Sequence, residues 1–472
     1  VSFASLEFLP FLALVVGLFV YVPRSSRRLF LLAASYAFYL QAEPWHGLLL
    51  VGSTVVDYLV GLALGQTDSR RRRKVLLGAS LVLNLGALAF FKYSGFIVEN
   101  LQFLLGETAS SSNPWLGLVL PLGISFYTFQ TLAYTIDVYR GTIQPCRSFV
   151  SFALYVSFFP QLIAGPIERA GHLIPQLESA QVISLARLRA GGGLILWGLL
   201  KKLLCAEHLV RHVKPVFDSP GEQGSLTLVL AAVGMNVVLF LDFSAYTDIA
   251  RGAARLFGID LVDNFRRPFL SRSVGEFATR WHISLFRWIS DYVYSPLSTG
   301  ALSHWKLWRN NCLAMGLFGL WHGSSWTFIL WGIASGVAIS MQHSLRLLRA
   351  RSGRRRELRT RWGLRDMAAC LGTTLFTSAF IVFFFSPDLD FALGWYARLL
   401  SLSGDSNPAW MGWTLLALCC GLAVQAAGEF GRLEGAWRRI GWPGRAIAVV
   451  ASLAALVYLR IPEAADFIYF RF

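Results

Sequence analysis

The chain has 472 residues, 55% of them hydrophobic and only 15% charged, with a mean hydropathy of +0.52. That composition excludes an ordinary soluble protein and indicates a succession of transmembrane helices. The formal net charge of +16, from 43 Lys and Arg against 27 Asp and Glu, lies in short loops between apolar runs. This is the pattern of positive-inside topology, and it excludes nucleic-acid binding as the reason for the charge.

Length alone would suggest roughly three soluble domains. The apolar runs instead recur from end to end with no long polar linker, which predicts one all-α polytopic membrane domain over 1–472. Six cysteines (Cys146, Cys205, Cys312, Cys370, Cys419 and Cys420) show no CxxC or Cys/His spacing, so neither a disulfide framework nor a metal site is expected.

In chain order the candidate spans are 6–22, 29–41, 46–65, 75–91, 115–136, 149–164, 190–205, 226–243, 312–340, 367–386, 409–427 and 445–460. The first opens with Glu7 rather than a basic region and precedes no small-residue cleavage site, so it reads as a retained span rather than a signal peptide. A crossing helix needs about 20 residues, so the short runs 29–41, 149–164 and 190–205 are candidates for re-entrant or interfacial segments. Roughly ten to twelve crossings are expected on that rule. Arg24, Arg27 and Arg28, then Arg70 to Lys74, then nine arginines between Arg346 and Arg365, then Arg432, Arg438, Arg439 and Arg445 mark four basic loops. If all four are cytoplasmic, both chain ends lie outside and an even number of crossings separates neighbouring loops. No sustained internal repeat is visible.

Residues 263–303 form the longest stretch without a clean span, and there Arg266, Arg267, Arg272, Arg280 and Arg287 are interleaved with aromatic residues. Wound as a helix, 280–293 places Arg280, Ser284, Arg287 and Asp291 on one polar stripe and Trp281, Leu285, Trp288 and Tyr292 on an aromatic face. His282 falls off the polar stripe. It reads either as a functional group or as an incidental histidine on an interfacial amphipathic helix.

The apolar run 312–340 contains Leu317-Phe318-Gly319-Leu320-Trp321-His322-Gly323. An ionisable ring within a span is costly unless it faces protein or a water-filled cavity, which makes His322 a functional candidate. On position alone, a structural histidine bonded to a backbone carbonyl fits as well. Gly319 and Gly323 would form a smooth stripe for a close helix neighbour, and Trp326, one turn on, could wall the same cavity as His322.

Imidazole titrates near neutrality, so two histidines could take a hydroxyl proton and return it to a leaving group. Acyl transfer from a thioester to an alcohol needs such a base, donors for the developing oxyanion, and exclusion of water. Trp321, Trp326 and Trp281 could supply walls and donors. Other patterns are weaker. Gly191-Gly192-Gly193 precedes an apolar run rather than following a strand, so helix packing explains it better than phosphate binding. No GxSxG or HExxH motif occurs. Asp137, Asp242 and Asp248 could act as proton-relay groups but read better as partners of local arginines or helix ends, with Arg140 near the first and Arg251 near the third.

Several blocks then stand out in order. They are Pro121-Leu122-Gly123-Ile124-Ser125-Phe126-Tyr127-Thr128-Phe129-Gln130, Tyr134-Thr135-Ile136-Asp137-Val138-Tyr139-Arg140-Gly141, Phe158-Phe159-Pro160-Gln161 and Ala164-Gly165-Pro166-Ile167. Further on come Asp242-Phe243-Ser244-Ala245-Tyr246-Thr247-Asp248, Leu256-Phe257-Gly258-Ile259, Asn264-Phe265-Arg266-Arg267-Pro268-Phe269, Arg280-Trp281-His282-Ile283-Ser284-Leu285, Asp291-Tyr292-Val293-Tyr294, Leu320-Trp321-His322-Gly323 and the ending Phe467-Ile468-Tyr469-Phe470. Over essentially its whole length the chain resembles the membrane-bound O-acyltransferase family, in the bacterial branch of alginate O-acetyltransferase membrane subunits.

The resemblance implies a multi-helix fold around a tunnel, with His322 catalytic and His282 near the cytoplasmic entrance. Trp321, Trp281, Arg280, Asn264, Arg266 and Trp326 become candidates for the tunnel lining or for substrate, with Arg280 and Arg266 suited to a donor's phosphates. No bound cofactor or metal is implied; acetyl-CoA or another acyl thioester is the donor substrate. A periplasmic acetyltransferase subunit and exopolysaccharide assembly machinery are the implied partners, beside membrane lipids, in a bacterial inner membrane. The branch usually continues Asp-Tyr-Val-Tyr with Ile-Pro-Leu-Gly-Gly, whereas this chain has Ser295-Pro296-Leu297-Ser298-Thr299-Gly300. D-alanine transfer to teichoic acid from a carrier-protein thioester, a transporter or flippase without acyl chemistry, and a non-catalytic scaffold are the competing readings.

Overall fold

In hydrocarbon every backbone N–H and C=O must find a partner within its own segment, and the regular elements among the described residues are accordingly all helical. The computed structural model describes residues 8–41, 44–106, 120–163, 165–179, 183–300, 303–351, 362–402, 404, 410, 412, 414–415 and 441–459. Most of the run 409–427, residue Ala164 and the ending 467–470 lie outside them.

Five helices there are long and apolar enough to cross a membrane: His46–Gly65, Arg70–Leu105, Ser225–Leu256, Trp326–Leu348 and Leu364–Phe385. The chain is a multi-pass membrane protein. Among the described residues further apolar runs make shorter helices, Arg27–Leu40 with 14 residues and Ile124–Arg140 with 17.

The described residues divide into two compact units, one drawn from 1–197 and 246–262, the other from 198–245 and 263–472. In the first, a fully buried carboxylate joins three helices. Asp57 on His46–Gly65 accepts hydrogen bonds from Ser80 Oγ, from Asn84 Nδ2 at 2.7 Å and from Thr135 Oγ1 at 2.8 Å. Arg73 reaches the last turns of two helices, donating to Leu64 O and Tyr139 O at 2.6 Å each, where terminal carbonyls lack helical partners. Of the triple glycine, Gly191 is the packing residue: a Cβ there would lie 2.7 Å from Gly252 O.

In the second unit the apolar run 312–340 is not one span. Helix His304–His322 stops at His322, Gly323 is extended (φ −166°, ψ 158°), and a second helix runs from Trp326 to Arg351. The two helices form a hairpin whose backbones touch. A Cβ on Gly319 would strike Phe328 O, one on Gly332 would strike Met315 O, and one on Gly336 would lie 2.7 Å from Asn311 O. These are small-residue positions of the kind that drive helix association in membranes, where dispersion and close backbone approach replace the hydrophobic effect.

The expected helix 280–293 is also interrupted. Helix Val274–Arg280 ends, His282 adopts a left-handed conformation, and a new helix runs from Ile283 to Ile289 before a π-helical turn over Ser290–Tyr294. Arg280 therefore belongs to a different helix from Ser284 and Arg287.

Gly319→Ala should destabilise the protein by about 1–3 kcal/mol, the usual cost of overpacking where backbone cannot retreat. Gly86→Ala, where no atom lies within 4 Å of the new methyl, should not. Thermal unfolding in detergent measures both, and an unchanged midpoint for Gly319→Ala would refute backbone contact in the hairpin.

Candidate active site

His322 is the last residue of its helix and only 2% exposed. Its ring is enclosed by aromatic rings at centroid distances of 5.0 Å for Phe318, 5.0 Å for Trp321, 5.2 Å for Trp331 and 5.3 Å for Phe384. Phe318 is one helical turn back on the same face, Trp331 comes from the other arm of the hairpin, and Phe384 from helix Leu364–Phe385. The turn that ends the helix is fixed locally by Ser325, whose Oγ accepts from Thr327 N at 3.3 Å.

His282 faces this cage, with its ring centroid 6.4 Å from that of His322 and 5.6 Å from that of Trp321. Phe243 lies edge-on to it at 4.8 Å. The conformation of His282 (φ 42°, ψ 54°) is uncommon for a residue with a Cβ and costs on the order of 1–3 kcal/mol. Three hydrogen bonds hold it. Arg266 N donates to Arg280 O at 3.0 Å, Ile283 N to Asn264 O at 2.9 Å, and Ser284 N to Asn264 Oδ1 at 3.1 Å. Asn264 thus caps the helix Ile283–Ile289 from a distant part of the chain. Among the described residues, neither ring nitrogen of His282 nor Asn264 Nδ2 has a hydrogen-bond partner on another residue, and both side chains are buried. Burial pushes the His282 pKa down to about 3, so the ring is neutral near neutral pH.

The sequence candidates thus divide. His322, His282, Trp321 and Trp281 are brought together, with Asn264 beneath them as a brace. Trp326 is 49% exposed, and Trp331 packs against the His322 ring with centroids 5.2 Å apart. Arg280 is engaged by its own fold, donating to Glu276 Oε1 at 2.6 Å, while Arg266 is exposed. The departure at 295–300 keeps a defined turn: Gly300 supplies the left-handed residue (φ 80°), and Asn310 Nδ2 binds Leu297 O at 2.7 Å and Ser298 Oγ at 3.1 Å.

Sequence reasoning missed Trp331, Phe384 and Phe243, which only chain folding brings to the histidines. It also missed a buried ion cluster. Lys202 Nζ lies 2.8 Å from Asp242 and 3.7 Å from Glu207, and Lys201 Nζ donates to Ser244 Oγ at 2.9 Å. Two lysines of one π-helical turn, Leu200–Ala206, thereby grip the residues on either side of Phe243. The signal was present as adjacent lysines inside the apolar run 190–205. Burial raises the Glu207 carboxyl to about 7 despite the opposing pull of Lys202.

Two outcomes follow from the brace. Asn264→Ala should lower stability by about 1–2 kcal/mol through loss of the cap, read by thermal unfolding. The His282 pKa is depressed on folding, so its contribution is whole above the ordinary value of 6.5 and is lost as pH falls toward 3, because the unfolded chain binds a proton there first. The thermal midpoint of His282→Gln should therefore fall less between pH 7 and pH 5 than that of the wild type; parallel profiles would refute the buried neutral imidazole.

Comparison with known proteins adds the following. The family model described as MBOAT, membrane-bound O-acyltransferase family, matches residues 146–386. A probable alginate O-acetylase, AlgI, of Azotobacter vinelandii is 34% identical over 414 residues, covering 86% of this chain and 77% of that protein. A peptidoglycan O-acetyltransferase of Helicobacter pylori is 32% identical over 405 residues, 80% of this chain and 75% of that protein. A teichoic acid D-alanyltransferase of Streptococcus thermophilus is 28% identical over 264 residues, 53% of this chain and 63% of that protein.

Proposed function

The chain belongs to the membrane-bound O-acyltransferase family and is an O-acyltransferase, and from that premise we propose that it moves an acetyl group from a cytoplasmic thioester, acetyl-CoA or another, across a bacterial inner membrane for O-acetylation of an exported polysaccharide such as alginate. The observation that carries this reading is the His322 imidazole, buried at a helix end among four aromatic rings with a second imidazole opposite.

The chemistry needs one base and a dry site. His322 accepts the acceptor's hydroxyl proton while the oxygen attacks the thioester carbonyl. The C–O bond forms, the C–S bond breaks, and the imidazolium returns the proton to the departing thiolate, so no proton is consumed overall. Aromatic faces around the ring favour the transient imidazolium, as they favour other cations held over them. They also exclude water, which would hydrolyse the donor. His282, neutral and facing the same space, offers one N–H donor and one acceptor to orient the reacting groups.

Alginate O-acetylation is named for the relative of 77% coverage, which favours acetyl over D-alanyl transfer as the activity. A periplasmic acetyltransferase subunit that completes delivery to the glycan is the partner this reading requires.

With purified protein, labelled acetyl-CoA and a hydroxylated glycan acceptor, His322→Ala should reduce transfer by about 10²–10⁴-fold, the usual contribution of a positioned general base, while the variant still folds. Turnover within a few-fold of wild type would refute the role of His322, and sealed vesicles that accumulate unmodified substrate would favour a transporter.

A further inference from the structure

A histidine that takes part in chemistry is ordinarily oriented by a hydrogen bond to its second ring nitrogen. His282 is not. Among the described residues neither of its ring nitrogens bonds to another residue, although the side chain is fully buried. Packing must therefore set the plane of the ring. The closest of its ring contacts among the described residues is Phe243, edge-on with centroids 4.8 Å apart, against 5.6 Å for Trp321 and 6.4 Å for His322. Phe243 is itself fully buried and packs edge-on against Phe265 at 5.1 Å.

Phe243 lies on helix Ser225–Leu256 between two residues that are gripped from the π-helical turn Leu200–Ala206. Lys202 Nζ is 2.8 Å from Asp242, and Lys201 Nζ donates to Ser244 Oγ at 2.9 Å. Successive residues of an α-helix turn by about 100°, so residues 242 and 244 point to opposite flanks of residue 243. One hold would leave the helix free to roll about it; two on opposite flanks fix its rotation at Phe243. The ion-pair hold is stiff as well. The Lys202 and Asp242 side chains are 3% and 5% exposed, so a roll that lengthened the pair would leave buried charges uncompensated. Both lysines sit on a π-helical turn, an irregularity found mostly at functional sites.

We propose that Lys201 and Lys202 are positioning residues for acyl transfer: through Ser244 and Asp242 they set the rotation of the helix at Phe243, and through that ring the orientation of His282. The inference rests on the acyl-transfer reading of the two histidines and adds to it the device that aims one of them.

The test is a double-mutant cycle on the full-length protein in nanodiscs, with labelled acetyl-CoA and one glycan acceptor. Ser244→Ala removes one hold, and the paired change Lys202→Met with Asp242→Asn removes the other. Each should lower kcat by about tenfold, the scale on which small misplacements act, and leave the donor KM within about twofold. In a His282→Ala background the same changes should cost less than about twofold, because a residue that acts through His282 has nothing left to aim. An unchanged kcat, or equal losses in both backgrounds, would overturn the proposal. If the lysine variant does not fold, Phe243→Leu takes its place in the cycle with the same expected outcomes. A second readout needs no turnover. In histidine-selective ¹⁵N NMR, with the His282 ring signals assigned by their loss in His282→Gln, Ser244→Ala should move those signals, and unmoved signals overturn the positioning role. If the wild type transfers no acyl group from any thioester, the acyl-transfer reading falls, and the NMR result still judges the positioning of His282 by itself.

Discussion

The backbone contact between helices His304–His322 and Trp326–Arg351 is the constraint on which the site depends. Lipid offers no hydrophobic drive for two helices to meet, so their association relies on dispersion between surfaces that fit closely. Gly319, Gly332 and Gly336 remove the side chains that would hold the axes apart. Close approach requires the chain to reverse sharply, and the reversal at Gly323 leaves His322 as the terminal residue of its helix. The same approach carries Trp331 across to the imidazole. A larger residue at any of these glycines would alter the interhelical distance and with it the ring-to-ring spacing around His322.

The electrostatics of the site follow from what surrounds the two rings. Both imidazoles pack among aromatic rings, and burial, against the opposing pull of a backbone hydrogen bond, pushes the His282 pKa down to about 3. Charge is kept one layer away. Lys202 is compensated by Asp242 and Glu207, and Lys201 is held on a serine. Removing one partner from such a cluster is far more disruptive than its net contribution to stability suggests, because the remaining ion stays buried. Its position on both sides of Phe243 means that a disturbance there is transmitted to the wall of His282.

Much of this was legible in the sequence, and the parts that were not have physical reasons. Helical class, membrane character and the two histidines could be read from hydropathy, basic loops and the placement of ionisable rings in or beside apolar runs. Trp281 and Trp321 could be placed because they are covalent neighbours of the histidines. For Trp326 the reasoning was a one-turn step along a continuous helix, but Gly323 ends the helix and the step leads around a turn to a half-exposed position. Hydropathy does not register that break, since Gly323-Ser324-Ser325 interrupts an apolar run without adding charge. The periodicity of 280–293 failed for a related reason. Its polar stripe is real arithmetic on a helix that does not form, because Asn264, some 20 residues away, holds the chain in a left-handed corner at His282. Long-range capping has no local signature.

That corner also bears on selectivity. A strained residue persists only where its surroundings over-determine it, and here two backbone bonds and one side-chain bond do so while leaving Asn264 Nδ2 and both His282 nitrogens without another partner among the described residues. Those three groups are polar atoms beside largely aromatic walls. They are neutral, and the nearby ions are paired among themselves. A site built in this way has little means of choosing a ligand by charge attraction near the reacting carbon. An unpaired charge brought into such a space would lose its hydration without return.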